Sequence, residues 1–559
     1  MEYKINKASN DVIENVLLNR NLTFDMVDEL LLSDEKNYES PHNYPNIDKA
    51  YRRIKKAIDN KEVIYILCDV DNDGFCSAAI IFDFLYNFMN HDDVYYILHE
   101  KNRKSHGIDD EIFNKIKEKP CNLLITPDSS SSDREWHEKL YELGCDVVVA
   151  DHHIFDKNDI FDKAIIVSNQ YDEVNNKYGS GTLVSKKLVE YISEKENINI
   201  GNSYNDLVAI SLVSDVCNLR NLENRYYLNI GSRVENVTND LIKTFVKKNK
   251  IKDRISITDM SFNIINKINV IIRGGTREEM EDLFESLIGS NEVVNYKYKG
   301  KTLEESIQSS ILRIANRLGQ RQRNLIKKTI AEGIHPLTSE DDSLLIIDGK
   351  YIDKKISGLL ATKLCNEYKK SVMILKEHDG ILSGSCRGYG VDSLNELCKS
   401  SNLCMSVDGH DNAHGIKILS TNVNDFIQYM NKKIGKLDVV DKIDVDFIYE
   451  KNIPLEDVLD LSDLEHLWCN PDILRPKFIL KNLVIDSSKI NKRGINVSFK
   501  SNKILFRKDY CSNDFFKKLI CEEENKNQDK ELRMDILFDI RKQDTFAYVN
   551  ILDVESVVI

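Results

Sequence analysis

Short apolar runs alternate with amphipathic stretches over roughly the first 170 residues. The amphipathic stretches, such as Ser77–Phe88 and Glu135–Leu143, have the periodicity of helices that cover a sheet. The apolar runs have the length and β-branched content of buried parallel strands: Val63–Leu67, Val94–Leu98, Leu123–Thr126, Val147–Ala150 and Ile165–Val167. We therefore predict a doubly wound α/β domain over residues 1–235, with its chemistry at the carboxyl ends of the strands.

Three further regions follow along the chain. Residues 236–340 have a mostly helical pattern, including a long charged helix at Leu303–Glu332, and we interpret them as a connector. A second, smaller α/β domain begins at the apolar strand Ser343–Asp348 and occupies residues 341–437. Residues 438–559 predict a small β-barrel or sandwich from four alternating segments: Phe478–Ile485, Ile495–Phe499, Met534–Ile540 and Phe546–Ile551.

Composition places the chain among ordinary globular proteins of the cytoplasm. Its 559 residues exceed the ~250–300 that one hydrophobic core supports, so several domains are expected. No run approaches the ~20 apolar residues that span a bilayer, and the N-terminal sequence lacks the apolar segment of a signal peptide. The twelve cysteines include no Cys-x-x-Cys pair, which favours reduced thiols and argues against structural zinc.

The net charge of −14 does not favour nucleic acid as a partner, because phosphate binding requires Lys and Arg. Charge is distributed unevenly, however, and two segments are strongly basic. Each is either a solvated helix face or a phosphate-binding surface. They comprise Lys243, Lys247, Lys248, Lys250, Lys252 and Arg254, and then Arg313, Arg317, Arg321, Arg323, Lys327 and Lys328.

Carboxylates and histidines follow the predicted strands at the points where the strands end. Asp69, Asp71 and Asp73 follow the first strand, Asp128 another, and Asp151-His152-His153 a third. A further acid, Asp215, follows the apolar run Leu207–Val213. Because parallel strands present their carboxyl ends at one edge, these groups can converge on a site rich in oxygen ligands. Oxygen and imidazole ligands suit Mn²⁺ or Mg²⁺ better than a thiolate metal.

Two simpler interpretations compete with a metal site. Asp-x-Asp-x-Asp-Gly also opens an EF-hand calcium loop, but its twelfth position should be Glu and is Ile80 here. Strand-end acids can also cap helices, which would account for Asp73 or Asp128 individually. Capping does not account for three acids on one turn together with Asp-His-His at another strand end. The pattern therefore favours a metal site.

With Asp151-His152-His153 as its most specific motif, the chain resembles the DHH phosphoesterases, and among them the RecJ-like exonucleases of single-stranded DNA. The similarity extends over nearly the whole chain. It is carried by Ser40–Ile58, Asp69–Gly74, Asp128, Ser214–Leu219 with Glu223–Arg225, Ile268–Arg273, Ile356–Leu364, Gly384–Arg387 and Gly409–Gly415. The C-terminal strands occupy the position of the RecJ OB-fold, so the resemblance implies an OB-like, nucleic-acid-binding domain at 438–559. The motifs between 356 and 415 imply a DHH-associated substrate domain at 341–437.

The resemblance also implies roles for individual residues. Two metal ions, Mn²⁺ or also Mg²⁺, would be bound by Asp71, Asp73, Asp128, His152 and Asp215. Other groups close to the metals or the phosphate would be Asp69, Asp151 and His153. Substrate would be held by Arg103, Asn269, Arg273, Arg387, Gly409 and His410. For Asp69, Arg387 and His410 the alternatives are a strand-end cap, a surface ion pair and a core histidine.

The sequence departs from the family pattern at three places. Pro127-Asp128-Ser129-Ser130 lacks the usual Gly two residues after the acid. Asp408 precedes Gly409-His410 and brings negative charge near a phosphate site, and His106 stands where a Tyr is usual. These departures affect the expected length of the substrate and the expected direction of cleavage more than the expectation of hydrolysis.

The resemblance implies metal-dependent exonucleolytic hydrolysis of single-stranded DNA, from the 5′ end, releasing mononucleotides, in DNA repair or recombination. Single-stranded DNA is the expected partner, with a single-strand-binding protein or a helicase as family-based candidates and no membrane. Two alternatives remain: a DHH enzyme acting on short oligonucleotides or cyclic dinucleotides, and a non-catalytic DHH protein that binds single-stranded DNA.

Overall fold

The computed structural model describes residues 2–99, 106–298, 300–435, 443–469, 471–509, 511–521, 530–543 and 546–558, without the side chains of Tyr298 and His410. The chain forms two compact units: one comprises Tyr3–Ala315 and Asp444–Ile559, the other Asn316–Ile443. Among the described helices, none combines the length and the apolar character that crossing a lipid bilayer requires.

The N-terminal part of the chain first alternates strands and helices and then becomes mostly helical, and its last helix continues from the first unit into the second. Its elements are β1 (Tyr3–Ile5), α1 (Val12–Leu18), α2 (Phe24–Leu31), α3 (Ile47–Asp59), β2 (Ile64–Cys68), α4 (Asn72–Asp83), β3 (Val94–Leu98), α5 (Asp110–Glu118), β4 (Leu123–Pro127), α6 (Arg134–Glu142), β5 (Asp146–Asp151), β6 (Ile165–Ser168), α7 (Gly181–Glu196), α8 (Asn205–Ser214), α9 (Leu222–Gly231), α10 (Asp240–Asn249), α11 (Ile257–Asp259), α12 (Asn266–Gly274), α13 (Arg277–Leu287), β7 (Val293–Tyr298), β8 (Lys301–Ser306) and α14 (Ile307–Glu332).

The first sheet is parallel and has the strand order β3-β2-β4-β5-β6. One face is covered by a core that includes Leu67, Leu124 and Val149, together with Ile112 of α5 and Leu140 of α6. After β2, the chain adds β3 on one side and then β4 on the other. Ligands of such sheets bind at this reversal, beyond the carboxyl ends of the strands.

The second unit contains a mixed sheet of five strands. Its elements are β9 (Leu344–Asp348), α15 (Lys354–Tyr368), β10 (Ser371–His378), β11 (Ile381–Arg387), α16 (Leu394–Lys399), β12 (Cys404–His410), β13 (Ala413–Leu419) and α17 (Val423–Ile434). The strand order is β12-β13-β11-β10-β9, in which only β9 and β10 are parallel. Cores cover both faces, one of them including Phe426 and Met430 of α17 and the other Leu360 and Leu364 of α15.

The C-terminal part of the chain forms a sheet of seven strands. Its elements are β14 (Ile443–Val445), β15 (Phe447–Glu450), α18 (Leu455–Asp463), β16 (Phe478–Asp486), β17 (Asn491–Arg493), β18 (Asn496–Ser501), β19 (Ile504–Lys508), α19 (Asn513–Ile520), β20 (Glu531–Gln543) and β21 (Phe546–Val558). The strand order is β15-β16-β20-β21-β19-β18-β17, and β14 instead pairs with β1. A C-terminal β region is therefore present, as the alternating pattern predicts.

Two helix predictions require correction. The predicted helix Ser77–Phe88 begins at Asn72, because the Asp71 side chain accepts a hydrogen bond from the Gly74 N–H and caps it. The predicted helix Leu303–Glu332 begins at Ile307, because the four preceding residues belong to β8. Strand β8 pairs with β7 in an antiparallel hairpin that the charged sequence did not indicate. Pairing with a neighbouring strand overrides helix propensity there.

Candidate metal centre

The reversal of strand order brings the predicted acids to one edge of the parallel sheet. Asp69, Asp71 and Asp73 follow β2, and Asp128 directly follows β4, the neighbour of β2 in the sheet. His152 comes after the last residue of β5, the next strand. Asp215 reaches the same place from the C-terminus of α8.

Three of these acids surround the imidazole of His152. Its Nε2 lies 3.2 Å from Asp128 Oδ1, 3.7 Å from Asp215 Oδ2 and 3.8 Å from Asp73 Oδ2. Asp73 and Asp128 are buried, whereas a quarter of the Asp215 side chain is exposed. We call Asp71, Asp73, Asp128, His152 and Asp215 the acidic cluster. Its five members are the residues predicted as metal ligands.

Asp73 is held by the N-terminus of α7. The backbone N–H groups of Gly181 and Thr182 donate to its two carboxylate oxygens, at 2.8 and 2.9 Å, and the Thr182 hydroxyl donates to it as well. Free N–H groups and the positive end of the helix dipole stabilise a carboxylate at this position. A Cβ at Gly181 would lie 2.6 Å from the Cβ of Asp128, so a side chain is excluded there.

Sequence reasoning missed Gly181 and Thr182. The available signal was Gly179-Ser180-Gly181-Thr182 before an amphipathic stretch, since the Ser180 side chain accepts a hydrogen bond from the Leu183 N–H and caps α7. That signal predicts the start of a helix. Which carboxylate the N-terminus of α7 faces depends on the packing of α7 against α4.

Burial and mutual repulsion favour the protonated forms of two acids in the cluster. Burial, followed by the charge of Asp73, raises the pKa of Asp71 to about 6. Burial, again with Asp73 as the nearest like charge, raises the pKa of Asp128 well above its usual range. The Asp128 backbone has a left-handed φ of 62°, and its Oδ1 accepts no hydrogen bond from the described residues. A cation bound among these oxygens would offset both the burial and the repulsion.

Asp69 lies at the end of β2, buried between two histidines. Its Oδ2 is 2.7 Å from Nδ1 of His106, and its Oδ1 is 4.0 Å from Nε2 of His99. The hydrogen bond to Asp69 raises the pKa of His106, whereas burial lowers the pKa of His99. Gly74 allows this arrangement, because a Cβ there would lie 2.6 Å from the Asp69 Cβ.

Asp151 organises the chain around the Asp-His-His motif. Its Oδ1 lies 2.8 Å from His153 Nδ1 and accepts from the backbone N–H of His152, while its Oδ2 accepts from the Ser131 N–H. Burial opposes its charge, yet the hydrogen bond and charge of His153 hold the pKa of Asp151 well below its usual range. The same hydrogen bond raises the pKa of His153 to about 9. Asp151 therefore orients the imidazole of His153 and holds the backbone of His152.

The donor atoms fit a divalent cation. Oxygen atoms of Asp69, Asp71 and Asp128 lie within 4.8 Å of one another, and so do donor atoms of Asp73, His152 and Asp215. These two triads share no residue. Carboxylate oxygens with one imidazole suit Mg²⁺ or Mn²⁺, and neither triad includes a cysteine.

The predicted substrate residues occupy separate elements. Asn269 and Arg273 lie on α12, where Arg273 is exposed. Arg387 ends β11 and donates to the Thr362 hydroxyl at 3.1 Å. Gly409 has a φ of 127°, and a Cβ there would lie 2.9 Å from the His414 Cα. Arg103 and the side chain of His410 lie outside the described residues.

Comparison with known proteins gives a consistent result. The model of the DHH family, N-terminal domain, matches residues 63–212. The chain is 30% identical over 499 residues to the "Putative SPbeta prophage-derived single-strand DNA-specific exonuclease YorK" of Bacillus subtilis (strain 168), covering 85% of this chain and 84% of that protein. It is 22% identical over 486 residues to the single-stranded-DNA-specific exonuclease RecJ of the same strain, covering 83% of this chain and 58% of that protein.

A solved structure has the same fold. RecJ from Thermus thermophilus, in complex with Mn²⁺, superimposes with a TM-score of 0.66 at 16% identity, covering 97% of this chain and 75% of that one. At this identity the likeness concerns the fold alone.

Proposed function

The chain belongs to the RecJ-like branch of the DHH family, and on this premise we propose that it is a divalent-metal-dependent exonuclease of single-stranded DNA. The observation that carries the proposal is the convergence of Asp73, Asp128 and Asp215 on His152 Nε2, within 3.2–3.8 Å. The names of its relatives support single-stranded DNA as the substrate.

The acidic cluster would hold the metal, with Asp69 as a neighbouring oxygen donor. Two separate triads of donor atoms support two ions, and the oxygen-rich set supports Mn²⁺ or Mg²⁺. When bound, the ions would supply a water of lowered pKa and neutralise charge on the scissile phosphate. A structure of RecJ with Mn²⁺ and another with Mg²⁺ are consistent with this use of either ion.

The protein's own groups position these ligands and the substrate. Gly181 and Thr182 fix the Asp73 carboxylate, and Asp151 fixes the His153 imidazole and the His152 backbone. The hydrogen bond with Asp151 raises the pKa of His153 to about 9, which favours its protonated form, and that form would offer positive charge near a phosphate. In the second unit, Arg387 would hold a neighbouring phosphate through its guanidinium.

The family resemblance supports a cleavage direction, a product, a cellular role and a division into functional regions. We propose cleavage from the 5′ end, release of mononucleotides and a role in DNA repair or recombination in the cytoplasm, with a single-strand-binding protein or helicase as partner. We also propose four functional regions: catalytic at 1–235, connector at 236–340, substrate-binding at 341–437 and OB-like at 438–559.

The decisive experiment supplies Mn²⁺ and a 5′-phosphorylated single-stranded oligonucleotide, labelled in separate reactions at each end. Mononucleotide should appear first from the 5′ end and should disappear with a chelator. The matched control is Asp215→Asn, because a quarter of the Asp215 side chain is exposed whereas Asp73 and Asp128 are buried, so its replacement should perturb folding less than theirs. Hydrolysis of dinucleotides or cyclic dinucleotides alone would assign the protein to short substrates. Binding of single strands without any hydrolysis would contradict the enzymatic proposal.

A further inference from the structure

Helix α14 has an unusual charge pattern for this acidic protein. From Ser306 to Ala331 the sequence contains six Lys and Arg residues and neither Asp nor Glu, although the whole chain has a net charge of −14. The metal centre uses none of these cations. Five of them, Arg317, Arg321, Arg323, Lys327 and Lys328, lie in the second unit, and we call them the α14 basic face.

The helix is sharply amphipathic. Ile307, Ile311 and Leu318 are buried on one side, and Ile326 and Ile330 pack against a core of the second unit. At ~100° per residue, the five cations fall within a sector of about 160° on the opposite side. The same sector contains three amides, and all eight side chains are exposed: Asn316, Arg317, Gln320, Arg321, Arg323, Asn324, Lys327 and Lys328.

Acidic neighbours do not neutralise the middle of this face. At the ends of the helix, Arg313 pairs with Glu305 at 2.6 Å and Lys328 with Glu332 at 3.5 Å. Within the described part of the chain, no carboxylate lies within 4.0 Å of Arg321, Arg323 or Lys327. A solvated surface helix usually mixes both signs, and like charges one turn apart destabilise a helix. The concentrated positive charge of Arg321, Arg323 and Lys327, without a described carboxylate beside it, therefore indicates a polyanionic ligand.

We propose that the α14 basic face binds the phosphodiester backbone of a single strand, at nucleotides other than the one being hydrolysed. This inference rests on the proposed function and extends it. From Arg317 to Lys328 the helix rises ~16 Å, which matches about four or five phosphates of a stacked strand. The amides at 316, 320 and 324 add neutral hydrogen-bonding groups that suit phosphate and base edges alike.

The test measures equilibrium binding of a labelled 20-nucleotide single strand in EDTA, over a range of NaCl concentrations. The variant carries Arg321→Gln, Arg323→Gln and Lys327→Gln, since Gln favours helix and removes only the charge. The matched control carries Lys376→Gln, Lys417→Gln and Lys432→Gln, three exposed lysines of the same unit. Both variants change the net charge by the same amount.

The α14 variant should bind less tightly, and its plot of log affinity against log salt should be shallower by about 2, as expected for three lost contacts to a single strand. The control should retain the slope of the unaltered protein. The inference would be overturned if all three proteins had equal slopes, or if the control lost as much affinity and slope as the α14 variant.

Hydrolysis of a 5′-phosphorylated dinucleotide with Mn²⁺ separates this inference from the proposed function, because the single phosphodiester of that substrate must be bound at the metal centre to be hydrolysed. The α14 variant should cleave it as fast as the unaltered protein. If the unaltered protein cleaved no DNA but the difference in slope persisted, the exonuclease proposal would fail and the binding face would stand.

Discussion

Two buried polar regions lie along helix α7, and they differ in how their charges are compensated. At its N-terminus, Asp73 belongs to the acidic cluster, where carboxylates face other carboxylates and the pKa of Asp128 is raised. One to two turns further on, Lys186 lies 3.1 Å from Glu190, and Lys187 lies 2.7 Å from Glu223. We call these four residues the ion-pair network.

Buried charges can serve ligand binding or the stability of the fold, and the two regions illustrate these two cases. In the ion-pair network, burial opposes the charge of Glu190, yet Lys186 and Lys187 lower its pKa, so every charge has a partner within the chain. The Lys187 ammonium also lies 3.7 Å from the centre of the Tyr38 ring. In the acidic cluster, burial and like charges raise the pKa values of Asp71 and Asp128, and a bound divalent cation would offset both effects. Buried like charges therefore indicate the functional region, and buried ion pairs indicate the scaffold.

The largest expected effect follows from Asp128→Asn. Asn tolerates the left-handed backbone at this position and removes one charge from the acidic cluster. Hydrolysis should fall on the order of 10³-fold or more, since metal-assisted charge stabilisation contributes several kcal/mol to the barrier. Urea unfolding in EDTA should show no loss of stability, because burial already favours the uncharged form of Asp128 and Asn is uncharged as well. A loss of stability that matches the loss of activity would contradict the contrast between the two regions.

The next effect concerns the ion-pair network. Lys187→Met should lower the free energy of unfolding by about 3–5 kcal/mol, because it leaves Glu223 buried without its cation. Activity per folded molecule should change little. Lys195→Met, an exposed lysine on the same helix, is the matched control and should leave the urea midpoint almost unchanged. Equal midpoints for the two variants would mean that the network does not stabilise the fold.

The smallest effect is a pH dependence of the metal-free protein. The pKa of Asp71 is about 6 in the folded state and about 3.9 in an unfolded chain, so between these values the folded state binds more protons. The free energy of unfolding should therefore fall by about 3 kcal/mol in total as pH rises from about 3 to about 7, with about 2 kcal/mol of this loss between pH 4 and 6. Urea unfolding in EDTA measures this slope.

Asp71→Asn supplies the reference, because Asn preserves the helix cap without titrating. The pH dependence of its free energy of unfolding should lack the contribution of Asp71. Adding Mn²⁺ to the unaltered protein at pH 7 should recover the stability that it loses between pH 4 and 7. Parallel pH profiles for the two proteins would show that Asp71 does not carry the repulsion.

The sequence predicted the candidate site more completely than the fold around it. Each acid of the cluster follows a strand or helix that the hydrophobic pattern alone located within a few residues, as Asp128 follows β4 and Asp215 follows α8. The contacts that hold those acids were not predictable in this way. Thr182 lies 109 residues from Asp73, and no periodicity connects them.

The amino-acid sequence by itself determined the parallel α/β alternation, the acids at the strand ends and the basic composition of α14, because these depend on side-chain periodicity and residue type. Tertiary structure decided that β7 pairs with β8, that α7 presents its N-terminus to Asp73 and that Lys187 meets Glu223. Such contacts depend on which surfaces bury most apolar area together, a property of the whole fold that no local pattern contains.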